Sequence, residues 1–510
     1  MAELTDRPFP PGIYPLVVVG SGPGALQLAY SLRALGVEHA VISQDDAPGG
    51  MFRKWPIFQR MLSWTKPYAD HQRGTPAYQR YDWNSLLGED DNTRAIMPTV
   101  MDGTSYFPSR SEMETGLVTF AGRAGLQVRY GCKWEATRRL EGGDIVLETS
   151  DGEFRASTVV FAVGVAQPWR PAVLELEGVQ QYGDLRPADS YRDRRVFIVG
   201  KQNSGFEIAS GLLPWARQIV LASPSPAQLS VQTHSLAGVR ARYVQPYEDW
   251  ALAGGVVILD ASIESVERDG DVFHVKTKSA HEDHPRHFAV DDVIAATGFT
   301  CPLRDLPEAG VATFGQSRLP AQTPFWRSVT VDGVYFAGTI MQGSQGLRKH
   351  GIPSNSGAVQ GYRYNARVLA RHIAETRFGK EPARRAMKAD EVIPFLLAEA
   401  SRGPELWHQR SYLARVVSVD PSQGVADEGI QPLAHFVDDE KGGDAVAITL
   451  ESNGRDDPYP TAYIRRRGQS LRERTLRPDP LLDFEGPAYQ RELAAALEPI
   501  LDRALTRVGQ

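Results

Sequence analysis

The sequence predicts an α/β fold in which one strand–turn–helix unit occurs twice, followed by a small α+β appendage. Three observations carry this. The apolar run Leu16-Val17-Val18-Val19 feeds the turn Gly20-Ser21-Gly22-Pro23-Gly24-Ala25 and then a helical pattern. The plan returns, altered, in Val196-Phe197-Ile198-Val199 and Gly200-Lys201-Gln202-Asn203-Ser204-Gly205. Beyond Gly379 the pattern changes to alternating strands between two helical segments. A strand that enters a glycine turn and then a helix presents free N-terminal amides, which is how a chain cradles a pyrophosphate. Two such units predict two Rossmann-like dinucleotide-binding domains, most economically for a resident FAD and a visiting NADPH.

Residues 1–15 are Pro-rich and predict an extended arm. A strand at 16–19, a helix at 25–35 ended by Gly36, a strand at 40–43 and the Gly49-Gly50 turn make a βαβ start. Residues 51–110 carry Trp55, Trp64, Tyr68, Tyr78, Tyr81 and Trp83 with little periodicity, and so long an irregular excursion points to function. Residues 109–124 read as a helix with Ser109 or Ser111 as N-cap and Glu112 and Glu114 near the first turn. Alternation predicts strands at 127–130, 133–139, 145–149 and 154–163. The second unit spans 196–221, with further strands at 256–259, 263–268, 272–276 and 293–296. A strand at 333–338, a glycine-rich loop and a helix at 357–376 close the core. The appendage reads as a helix at 389–401, strands at 433–437, 445–450 and 461–465, and a helix at 488–507. The domains that follow are 1–190 and 301–380 for FAD, 191–300 for NAD(P)H and 381–510 for the appendage.

The chain has 510 residues, 42% hydrophobic and 23% charged, which is ample for a sizeable core. Its net charge of -6 argues against nucleic acid and against an acidic membrane surface. No signal-peptide pattern opens the chain, and no apolar run approaches the roughly 20 residues that span a bilayer. A soluble cytoplasmic protein is the default expectation. Cys132 and Cys301 are far apart and outside any C-x-x-C, which argues against dithiol flavin chemistry and against a disulfide. His281, His284 and His287 flank Pro285 between two strands, the pattern of an exposed hairpin tip, so no metal is expected. Arg465, Arg466, Arg467, Arg472 and Arg474 are offset by neighbouring acids and read as a solvated face.

In the first turn Gly20 makes the tight bend, Gly22 lets the backbone approach the pyrophosphate, and Gly24 with Ala25 permits close helix packing. Gln44 stands where an acidic ribose reader is usual, with Asp45 as the fallback. In the second turn Gln202 replaces the middle glycine, so its side chain must lean away from the cofactor held by Gly200, Asn203, Ser204 and Gly205. The next strand ends in Ser223 without a carboxylate, which favours NADPH over NADH. Ser223, Ser225, Arg240 and Arg242 are candidate phosphate contacts.

Further motifs are Gly49-Gly50, Phe107-Pro108-Ser109-Arg110, Phe161-Ala162-Val163-Gly164, Ala295-Ala296-Thr297-Gly298-Phe299 and Val334-Tyr335-Phe336-Ala337-Gly338. With the two turns, they resemble the single-component flavin-dependent monooxygenases over residues 14–376. The resemblance adds Gly50, Gly164, Gly298 and Gly338 to the cofactor-binding set. Departures mark a divergent branch, nearer the amino-acid N-hydroxylases. The fingerprint region reads Leu176, Gly178 and Tyr182, with Tyr182 in the histidine position. Ser63, in Ser63-Trp64-Thr65-Lys66, replaces an asparagine, and Gly338-Thr339 lacks an acid.

The resemblance implies that NADPH reduces FAD. A flavin C4a-(hydro)peroxide, kept from water, then oxygenates a heteroatom, foremost an amine nitrogen, of a small polar substrate. The aromatic segment 51–83 would be the shield. The loop 339–356, with Gln342, Gln345, His350 and Asn355, would lie over the reactive face, where Arg348 and Lys349 bind a substrate carboxylate. Ser63, Lys66, Arg348, Lys349 and Asn355 form the expected catalytic set. The alternatives are a non-oxygenating NAD(P)H-dependent flavin reductase acting on a quinone or other acceptor, and a flavin-binding sensor without turnover. The expected partners are the substrate and O2, and the architecture is compatible with a homodimer.

Overall fold

The computed structural model describes residues 7–53, 60–230, 238–279, 284–315, 317–381, 384–420, 424–439 and 442–508. The chain divides into two compact units. One comprises Met1–Gly50, Ser63–Gly164 and Pro302–Gln510, the other Met51–Leu62 and Val165–Cys301.

In the first unit, β1 (Gly12–Val19) lies between β2 (Ala40–Ile42) and β5 (Gly152–Phe161), parallel to both. The strand starts earlier than the apolar run because the proline-rich arm already pairs from Gly12. The first half of β5 pairs antiparallel with β4 (Ile145–Thr149), which pairs with β3 (Trp134–Arg139). Its second half pairs in parallel with a strand from far along the chain, β13 (Val334–Phe336). The helix α1 (Pro23–Ala34) follows β1, and α2 (Arg110–Arg123) opens with a complete capping box. Ser109 accepts from the Glu112 amide, and Glu112 accepts from the Ser109 amide. Residues 127–130 form no strand; Arg129 makes a single bridge to Ile42. Its guanidinium is instead buried against Asp151 at 2.6 Å.

The second unit is a seven-stranded sheet in the order β11-β10-β9-β8-β7-β12-β6. Its strands are β6 (Gln180–Gln181), β7 (Arg195–Val199), β8 (Gln218–Ser223), β9 (Val256–Asp269), β10 (Val272–Ser279), β11 (Arg286–Val290) and β12 (Asp292–Ala295). The helix α3 (Asn203–Leu212) follows β7. The two strands expected at 256–259 and 263–268 are one strand, irregular between Ile263 and Ser265, that pairs first with β8 and then with β10. Of the three histidines, His281 lies outside the described residues, and β10 and β11 on either side pair antiparallel.

Residues 302–510 include α4 (Val359–Phe378), which packs on α1, and the appendage. The appendage sheet runs β14-β16-β15-β17-β18-β19. These strands are β14 (Arg385–Met387), β15 (Leu413–Asp420), β16 (Gly424–Pro432), β17 (Ala445–Glu451), β18 (Tyr459–Arg465) and β19 (Arg472–Thr475). Over one face lie α5 (Val392–Arg402), α6 (Pro404–His408) and α7 (Pro487–Val508), enclosing a core with Leu396, Leu406, Val417, Ile448, Leu493 and Leu497. The hairpin of β15 and β16 adds to the strands the sequence predicts. One expectation needs correction here: the strand expected at 433–437 is the helix Leu433–Asp438. Leu433 and Phe436 are its buried residues, a spacing of three that suits a helical turn, directly after Pro432. Among the described residues, no helix is long and apolar enough to cross a membrane.

Candidate functional site

The two glycine turns are built alike. Gly20 has φ +125°, and a Cβ there would lie 2.5 Å from the Ala162 carbonyl oxygen. Gly200 has φ +124° and meets the Ala296 carbonyl in the same way. Each strand is thereby pressed on the crossover that follows its parallel neighbour. Gly22 and Gln202 are the N-caps of α1 and α3, both extended and neither making a side-chain cap. The first intrahelical bonds come from Leu26 and Phe206, so among the described residues the amides of Gly24 and Ala25 in one helix, and of Asn203, Ser204 and Gly205 in the other, take no backbone partner. Pro23 has no amide to lose.

Around the first turn, glycines let backbone meet backbone. Gly24 faces Gly338, and the Cα of Gly22 would lie 3.1 Å from a Cβ on Gly50. A Cβ on Gly22 itself would meet nothing within 4 Å. The turn thus leaves open space beside Gly22 at the start of α1, where the FAD pyrophosphate would fit. Asp45 turns back to accept from Ser21, while Gln44 stays exposed at the strand end, where a ribose would lie. The helix α4 also starts without a side-chain cap, and beside that start the buried Gln360 Oε1 has no partner among the described residues.

Around the second turn, Gln202 is exposed. Asn203 is tied down by its side chain, which accepts from the Arg240 amide at 2.9 Å and donates to the Gly238 carbonyl at 3.1 Å. Its backbone amide is what remains for a ligand. Lys201 is buried and paired with Asp260, which stands beside Ser223 in the β8–β9 register. The sheet end therefore does carry a carboxylate, but one already answered by a lysine. Tyr182 is buried and donates to Glu207 on α3, and burial pushes the Glu207 carboxyl up to about 7. Gly164 and Gly298 both take positive φ at the ends of their crossovers.

The irregular aromatic segment is pinned by the Thr65–Asp82 bridge. Buried Asp82 accepts from Thr65 at 2.9 Å and from the Ser85 amide at 3.0 Å. Across this ladder Ser63 donates to Asn84, and the Trp64 and Trp83 rings approach to 4.5 Å. The buried Trp64 indole nitrogen has no hydrogen-bond partner among the described residues. Lys66 is exposed beside the Tyr81 ring. Trp55 lies outside the described residues. Asn84 was missed in the sequence because only the bridge brings residues 63–66 against 81–85.

Within the loop 339–356 the expected carboxylate pair separates. Arg348 is exposed, with a long 3.5 Å contact to Gln345. Lys349 is engaged by Glu473 at 2.7 Å, by Tyr463 at 3.0 Å and by fully buried Glu451 at 3.0 Å. Burial works to lower its pKa, but Glu473, Tyr463 and Glu451 together hold it above the usual lysine range. These contacts tie the loop to the appendage. Asn355 is likewise used by the appendage: its side chain donates to the His408 carbonyl and its amide to Gln409 at 2.9 Å.

Both thiols are buried. Burial raises the pKa of Cys132 and pushes that of Cys301 up to about 12.

Residues 17–338 match the family described as Pyridine nucleotide-disulphide oxidoreductase. Two curated relatives are both called FAD-dependent oxidoreductase domain-containing protein 2. That of Danio rerio is 30% identical over 236 residues, 44% of this chain and 33% of its own length. That of Mus musculus is 25% identical over 438 residues, 78% of this chain and 64% of its own. The chain thus spans less than two thirds of either relative. A solved bacillithiol disulfide reductase from Bacillus cereus aligns at 18% identity and TM-score 0.54, over 71% of this chain and 99% of its own. An ornithine N-hydroxylase from Kutzneria sp. 744 aligns at 17% identity and TM-score 0.53, over the same shares. At these identities the likeness is one of fold.

Proposed function

Because the chain belongs to the pyridine nucleotide-disulphide oxidoreductase family, with FAD and NAD(P)H as its cofactors, we propose that it is an NADPH-dependent monooxygenase. It oxygenates a heteroatom, foremost an amine nitrogen, of a small polar substrate. The observation that carries this reading is the state of the thiols. The chain has two cysteines, both buried with pKa values raised by that burial, and they lie in different compact units. Electrons therefore have no dithiol of this chain to pass through, and a diffusible acceptor takes them.

When bound, FAD would supply the two-electron chemistry that links the nicotinamide to the acceptor. The chain's own residues hold and shield. The free amides of Gly24 and Ala25 bind the FAD pyrophosphate, and those of Asn203, Ser204 and Gly205 bind that of the nicotinamide coenzyme. Lys201 neutralises Asp260 and so removes a charge that would repel a 2′-phosphate, which supports NADPH. The packed indoles of Trp64 and Trp83 exclude water. With Lys349 held by the appendage, Arg348 is the cation of this loop left to orient an acidic group of the substrate.

Oxygen consumption by the holoprotein with NADPH and a panel of small polar amines tests the reading. The expected result is amine-dependent oxygen uptake with hydroxylated product and little hydrogen peroxide. Full peroxide release with every amine, together with faster NADPH oxidation on adding a quinone, would overturn it in favour of a reductase.

A further inference from the structure

The arginines on and around α5 and α6 are answered in different ways. Arg367 is paired with Glu405, and Arg402 with Glu485 at 2.9 Å. Arg363 donates to the Ser85 and Gln79 carbonyls and to the Tyr364 hydroxyl. Arg80 and Arg410 stand apart. Arg80 donates one bond of 2.8 Å to the Ser401 carbonyl, and Arg410 one of 3.2 Å to the Trp407 carbonyl. Both guanidinium groups lie over the Trp407 ring, at 4.8 and 3.9 Å from its centroid. Among the described residues, neither takes a carboxylate.

A cation near a helix C-terminus is favourable, which accounts for one carbonyl contact each. It does not account for two like charges drawn together and partly out of water. A guanidinium carries a fork of N–H donors, and each uses a single one here. Burial lowers the pKa of both, to about 10 for Arg410, and the charge of Arg80 pushes Arg410 further in the same direction. Such a pair is unfavourable as it stands and is relieved by an anion that bridges it. Both forks are braced on the same indole, Trp407, which fixes where each guanidinium stands.

We propose that Arg80 and Arg410, braced on Trp407, form a binding site for a small molecule that carries a carboxylate or phosphate group. The site is independent of the reaction proposed above, and its test reads stability, not turnover. Thermal unfolding of the holoprotein is compared in phosphate, acetate and chloride at matched ionic strength. The proteins are the wild type, Arg80→Gln, Arg410→Gln and the double variant. The wild type should melt higher in phosphate or acetate than in chloride, and the larger increment assigns the group. Arg410→Gln should weaken the apparent affinity about tenfold. In chloride the double variant should melt no lower than the wild type, because the repulsion is gone. A double variant that keeps the full oxyanion increment, or a wild type with none, overturns the proposal. Should a variant fail to fold, calorimetric titration of the wild-type holoprotein decides: saturable binding of either anion supports the site, and its absence overturns it.

Discussion

Gly22 and Gly24 are two residues apart and should fail in different ways. A side chain on Gly22 meets open space, whereas one on Gly24 runs into the backbone of Gly338. Gly22→Val should therefore fold, with unchanged circular dichroism, and lose bound FAD by at least about tenfold, because the added methyls occupy the pyrophosphate position. Gly24→Ala should instead lower stability by about 1–3 kcal/mol through overpacking, read as a lower midpoint in urea. Equal flavin content in Gly22→Val and the wild type would contradict the cradle. Such positions are legible in the sequence because a close backbone approach leaves a glycine behind. Lys349 was not legible: its partners Glu451 and Glu473 lie 102 and 124 residues away, and a lysine beside an arginine looks the same whether clamped or free.

At the scale of elements, the loop leading to α4 is held shut by the appendage. The Tyr412 hydroxyl donates to the Ser344 carbonyl at 2.9 Å, the Tyr412 ring fills the space beside Gly346, and Tyr459 meets His350 at 3.2 Å. Arg348 and His350 both adopt left-handed backbone angles. Lys349 closes the clasp. Lys349→Met would leave the Glu451 carboxylate buried without its cation, and should cost on the order of 3 kcal/mol in urea unfolding. Adding Glu451→Gln to the same chain should recover most of that loss; an unchanged midpoint in the single variant would show that the clasp bears no load. Long periodic elements such as α1, α2 and α7 were legible because apolar spacing sets them directly. The helix Leu433–Asp438 was not, since six residues give either period too little room to declare itself.

For the whole molecule, the appendage is joined to α4, the loop before it and the segment around Gln79 through buried polar groups. Gln409 donates to Asn365 at 2.8 Å and to Ser356 at 3.2 Å, His408 meets the Gln79 carbonyl at 3.0 Å, and Tyr364 donates to Gln79 at 2.9 Å. Burial lowers the pKa of His408 well below the usual histidine value, with the charge of Arg363 acting the same way. Polar groups matched this closely are costly to expose singly. Removal of residues 381–510 should therefore give an insoluble product without flavin absorbance, although the motifs of both nucleotide sites remain. A soluble, yellow, cooperatively melting fragment would refute this. Composition shows where the appendage begins but not that it is joined in this way, because Gln79, Asn365 and Gln409 become partners only in three dimensions.

That junction bears on ancestry. A domain hung on a linker can be exchanged between lineages like a cassette, but one whose amides and imidazole complete its host's interior cannot. Any descendant that discarded it would have to rewrite Gln79, Ser356, Tyr364 and Asn365 together, so the two parts are expected to be inherited as one.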